Sequence, residues 1–217
     1  MVPSTASGVS ERTLTLTLNG SGKASFKVDS SRETSRLTLE YHWHGALRFD
    51  VAVPVLKDPR HRRLSVTSVG TLVASWTGQY TSKGGSPSTC RYRGTNVKSN
   101  VTARLGRGTA GNTLELTLHP RGTGGFFSDK GRGAVVLCTS GYEQSAPLHF
   151  APSWFFRDNL QDHGRLSSDT AIIDLPSTLL PDGLATVAFP NERGRSDSVA
   201  LGHFAWDNRA QTAVRAR

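Results

Sequence analysis

The sequence predicts an all-β protein: an antiparallel β-sandwich of about a dozen short strands with little or no helix. Three observations predict it. Apolar residues occupy alternate positions through most of the 217 residues, the period of a strand with one face on a core and the other in water. Gly, Pro, Asn and Ser punctuate these runs at the spacing of a sandwich or barrel. Helical periodicity is absent at any length beyond one or two turns near residues 153–161.

Taken in order, Leu14, Leu16 and Leu18 alternate with Thr13, Thr15 and Thr17 and form the first strand. Asn19-Gly20-Ser21-Gly22 has the composition of a hairpin turn, and Ala24, Phe26 and Val28 follow it. Leu37, Leu39, Tyr41 and Trp43 share one face, with Glu40, His42 and His44 on the other. After Gly45 the pattern resumes at Leu47, Phe49, Val51, Val53 and Val55. Leu72, Ala74, Trp76 and Tyr80 make another face; Val101, Ala103 and Leu105 precede Gly106-Arg107-Gly108; Leu114, Leu116 and Leu118 precede His119-Pro120. Residues 135–138 are apolar on both faces, which predicts a central strand. Segments 171–175, 184–189 and 199–206 complete the set. The organisation expected is a flexible polar segment over 1–11, one domain over 12–207 whose only candidate seam lies at 81–89, and a basic tail over 208–217.

A domain of this length buries roughly 70% of its unfolded surface, so no metal is needed to stabilise it. Cys90 and Cys138 are the only two cysteines. An even count in a turn-rich β chain predicts a disulfide, and the loop-entropy account assigns such a cross-link roughly 4 kcal/mol. Two unrelated buried thiols are the alternative reading. No apolar run reaches the length of a membrane-spanning helix, and Met1-Val2-Pro3-Ser4-Thr5 lacks the basic and apolar regions of a signal peptide. The disulfide favours an extracytoplasmic or secreted protein whose leader is not part of this chain.

Charge is laid out unevenly. The formal net charge is +9, and 20 of the 26 basic residues are Arg. Codon usage in a GC-rich genome would produce such an arginine excess, but codon usage does not segregate charge along a chain. Between Pro59 and Leu114 there is no Asp or Glu, while Arg60, Arg62, Arg63, Lys83, Arg91, Arg93, Lys98, Arg104 and Arg107 fall there. Acids gather later, at Asp158, Asp162, Asp169, Asp174, Asp182, Glu192, Asp197 and Asp207. Such a layout bears on partners rather than on fold. The binding residues it predicts are Arg60, Arg62, Arg63, Arg91, Arg93, Arg104 and Arg107, joined by Arg121 and Arg132 beside Phe126 and Phe127 in the glycine-rich stretch 121–133. Two rings on a loop tip suit insertion into a partner or a membrane interface; the alternative is that they fold back onto the rim. The partners expected are an anionic polymer or cell-envelope component, or a second copy meeting the acidic region; the alternative is that the acidic region neutralises the basic zone within one molecule. Membrane contact is expected to be peripheral at most. No RNP-like motif supports a nucleic-acid role.

Catalytic signatures are absent: there is no Gly-x-Ser-x-Gly elbow, and the glycine-rich stretch lacks the strand-then-helix context of a phosphate loop. No cofactor is expected. The competing reading is a metal site. His42 and His44 lie two apart on a strand and reach the same side, with Glu40 beside them. This His-x-His resembles the zinc strand of α-type carbonic anhydrases and the first motif of cupins, which implies a bound metal and a metal-dependent activity. The cupin carboxylate would fall where Ala46, Leu47 and Arg48 stand, and only His61 or His119 could supply the anhydrase pattern's third histidine.

Overall fold

The structure is a computed structural model that describes residues 10–29, 34–83, 88–109, 113–121, 126, 133–139, 171–188, 192–198 and 202–217. The described residues form ten strands: β1 (Glu11–Asp29), β2 (Thr34–Ala52), β3 (Ser65–Lys83), β4 (Ser88–Arg107), β5 (Thr113–Pro120), β6 (Ala134–Cys138), β7 (Ala171–Pro176), β8 (Leu184–Ala188), β9 (Glu192–Ser198) and β10 (Gly202–Ala216). All pair antiparallel in one sheet of order β7-β5-β4-β3-β2-β1-β10-β8, with β6 added beside β4 and β9 beside β10. The all-β, antiparallel expectation holds. Where the sequence predicts two packed sheets, one sheet curls until its ends, β7 and β8, approach each other, so that it nearly closes into a barrel.

The difference arises because four strands are long. β1, β2 and β3 have 19 residues each and β4 has 20. The stretch 19–22 is not a turn: β1 runs straight through it, with Gly20 opposite Trp43 and Gly22 opposite Tyr41 on β2. A Cβ at Gly20 would fall inside the Trp43 indole, and one at Gly22 inside the Tyr41 ring. These glycines leave room for large rings that lie flat across the neighbouring strand. Gly94 does the same for Trp76. Burial also pushes the Tyr41 phenol up, well beyond its ordinary range, and keeps it neutral.

Inside the barrel Leu14, Leu16, Leu18, Leu47, Phe49, Leu72, Leu105, Leu114, Leu116 and Leu118 are fully buried. About eight strands enclose just enough space for side chains to fill. An apolar inside and a polar outside is the reverse of a membrane-spanning barrel, and among the described residues no helix is long and apolar enough to cross a membrane. One end is closed by the β2–β3 connection, which begins with the short helix α1 (Val53–Leu56), and by a 3-10 turn at Ser177–Leu179. Leu56, Leu64, Leu179 and Leu180 are buried there. His61 is buried with them at φ 46, and its Nε2–H donates to the Ser177 carbonyl at 3.1 Å.

Three expectations need correction. Residues 208–216 are not a tail: they continue β10, pairing with β1 and, from Gln211 to Arg215, with β8. The chain end is tied by a Thr15 N–H to the Arg217 carbonyl (2.8 Å) and by the Arg217 N–H to the Thr15 carbonyl (3.0 Å). Thr212, Val214 and Ala216 point inward and are buried, and such small residues give a faint apolar signal between arginines. Among the described strands β6 is an edge and not central: it pairs with β4 only. Phe126 is fully buried in the core and presents no ring to solvent. The segments 1–9 and 153–161, with Phe127 and Arg132, lie outside the described residues.

Cys90 and Cys138 stand directly opposite each other on β4 and β6, at disulfide distance with Cα atoms 4.0 Å apart. Their sequence separation is 48. The cross-link fastens β6 to the part of β4 that extends past the barrel's closed portion.

Candidate functional site

The acid-free zone folds into one feature. Cross-strand register places Arg91, Arg93, Lys98 and Arg104 along the outer side of β4. All four are exposed. At about 3.3 Å per residue the row from Arg91 to Arg104 spans roughly 40 Å. A bulge opposite Ser75, where Asn96 takes φ 51, shifts the alternation by one residue. It keeps Lys98 and Arg104 on the same outer side as Arg91 and Arg93 despite their even numbers.

Other predicted residues join the ends and middle of this row. Arg121 follows β5 and its N–H donates to the Asn100 carbonyl at 2.7 Å, beside Lys98. Arg107 is exposed where β4 ends, and Ser65 pairs with Gly106 there, which brings the Arg60, Arg62 and Arg63 connection to the same end. Arg104 reaches across to the Ser65 hydroxyl at 3.4 Å. Lys98 completes the row; it belongs to the same acid-free run, and the bulge that aims it outward has no signature in the sequence.

The neighbours add little negative charge. On β3 the residues opposite the row are Gln79, Thr77, Val73 and Thr67. On β5, Thr117 faces Arg104 and His119 faces Thr102, while Glu115 stands opposite Gly106. Ion pairs among the described residues join Arg12 to Asp182, Lys23 to Glu40, Lys27 to Asp29 and Arg62 to Asp58. None of them takes in Arg91, Arg93, Lys98, Arg104, Arg107 or Arg121.

Arg62 differs. The Arg60 backbone N–H, 3.0 Å from Asp58 Oδ1, holds the Asp58 carboxyl below the usual carboxylate range, helped by the Arg62 N–H and guanidinium. The carboxylate thus shapes the turn and offsets one of the three cations at the capped end.

His42 and His44 are exposed on the outer side of β2 as the alternation requires. Their cross-strand neighbours are Ser21 and Ser75, and Asn19 and Val73. Glu40 is engaged by Lys23. His61 is buried at the capped end and His119 lies on β5, so the structure brings neither to the pair. Among the described residues no group of three His, Cys, Asp or Glu side chains could hold a metal ion. No protein-family model and no curated protein matches this chain.

Proposed function

We propose that this protein is a non-catalytic, extracytoplasmic binding module that holds a linear polyanion, such as an anionic cell-envelope polymer, along the outer side of β4. One observation carries the reading: exposed cations run the length of one strand with no acidic partner among the described residues. An extended anionic chain laid on such a row releases counterions wherever a phosphate or carboxylate is neutralised. The rigid sheet pre-positions the cations and limits the ordering cost of binding. The cysteine pair at disulfide distance supports an oxidising compartment.

Calorimetric titration with long-chain polyphosphate tests this. The protein binds it, and the combined reversal Arg91→Glu, Arg93→Glu and Arg104→Glu strongly weakens binding without loss of folding. Association between copies through the acidic C-terminal region is the second reading; it predicts a monomer–dimer equilibrium sensitive to the same reversal and indifferent to polyphosphate. A metal role for His42 and His44 would instead appear as a stoichiometric transition metal that is lost on His42→Ala.

A further inference from the structure

The outer side of β6 breaks the sheet's inside-outside rule. Val135 and Leu137 are 50% and 65% exposed, on a strand whose composition predicts burial on both sides. Isolated apolar residues on a surface are ordinary, but these two are consecutive on one side of one strand and sit beside cations. Register pairs Leu137 with Arg91 and Val135 with Arg93. Directly opposed residues in an antiparallel pair share a face with Cβ atoms about 5 Å apart. The result is a two-by-two patch in which each exposed aliphatic side chain has a guanidinium beside it. The next residues outward, Gln79 and Thr77 on β3, are uncharged. Beyond them, Glu40 on β2 opposite Thr77 is engaged by Lys23. The opposed Cys90–Cys138 pair on the inner side holds β6 against β4 and fixes the patch.

We propose that Arg91, Arg93, Val135 and Leu137 form a docking patch for the surface of an anionic lipid bilayer. The two arginines meet phosphate head groups while the two aliphatic side chains enter the head-group boundary. A water-soluble polyanion has nothing to cover Val135 and Leu137, whereas an anionic bilayer matches both the charge and the apolar surface. The patch rests on the reading of β4 as an anion-binding row and deepens it by assigning one end of that row to lipid. The burial of Phe126 removes the first ring of the glycine-rich stretch from this role.

The test compares sedimentation with phosphatidylglycerol vesicles, phosphatidylcholine vesicles and soluble polyphosphate for the wild type, for Leu137→Ser with Val135→Thr, and for Leu137→Lys. The wild type is expected to bind phosphatidylglycerol and not phosphatidylcholine vesicles. The Ser/Thr variant should lose about tenfold in vesicle affinity and bind polyphosphate unchanged, which also reports its folding. Leu137→Lys decides between insertion and bare charge: entry of the side chain into the bilayer predicts weaker vesicle binding, and charge alone predicts tighter binding. Tighter binding by Leu137→Lys, or vesicle affinity unaffected by the Ser/Thr change, overturns the patch. Polyphosphate binding by a wild type that ignores phosphatidylglycerol overturns the patch and leaves the β4 row standing. Binding to neither overturns both.

Discussion

The outer sides of β2 and β4 differ although the strands are alike. Both run the length of the sheet, both bury large apolar residues on the inner side, and both come from the same arginine-rich chain. On β2, Arg36, Glu40, Arg48 and Asp50 mix signs, Glu40 pairs with Lys23, and Asp50 accepts from the Thr13 hydroxyl at 2.8 Å. On β4 the charged outer residues are all cations. An arginine-rich composition alone would have treated the two strands equally. The mixed face is what an ordinary solvated strand looks like, and the single-sign face is the departure on which the binding proposal rests.

The comparison breaks most visibly if the two inner sides are not equivalent. Phe49→Ala on β2 and Leu105→Ala on β4 should each cost about 3–4 kcal/mol, because both remove fully buried side chains from a packed interior; urea unfolding measures it. Gly94→Val should cost about 2 kcal/mol, since its Cβ would meet the Trp76 ring and the strand must shift. On the outer sides the stability effects should shrink to about 0.5 kcal/mol or less while binding separates the strands. Arg93→Glu on β4 should weaken polyphosphate binding about tenfold, and Arg48→Glu on β2 less than about twofold. Equal losses from the two reversals would mean that net charge, not the β4 row, governs binding. The smallest effect concerns pH. Asp58 has a folded-state pKa below its unfolded value, so the stability it adds is present above the ordinary carboxylate range and is lost as pH falls through the folded value. Asp58→Asn should therefore flatten the acid limb of a thermal-stability profile slightly and leave its neutral plateau with only a small loss.

The all-β class and the disulfide partners were legible because strand alternation and an even cysteine count are local signals. Strand length was not. Asn19-Gly20-Ser21-Gly22 has every mark of a turn, and only the ring stacked on each glycine from β2 explains its place inside β1. One clue was present: Leu14 to Val28 keep the same parity straight across the glycines, as a continuous strand requires and as a turn need not. The choice between two sheets and one curled sheet depends on pairings such as β1 with β10, where Leu16 meets Ala216 from the far end of the chain, which no local pattern encodes. In the candidate site the cations were visible as an acid-free run, but their alignment on one side depends on the bulge at Asn96. The apolar run 135–138 gave β6 its strand character and hid its edge position among the described strands, because composition cannot tell a covered face from an exposed one.

The most direct test of the central claim is the salt dependence of polyphosphate affinity for the wild type and for the protein carrying Arg91→Glu, Arg93→Glu and Arg104→Glu. The account predicts a steep linear fall of log affinity with log salt for the wild type, and a slope shallower by about one for each arginine removed, with affinity lower at every salt concentration. Parallel lines of equal slope for the two proteins would contradict it, because they would show that the anion is neutralised somewhere other than on β4.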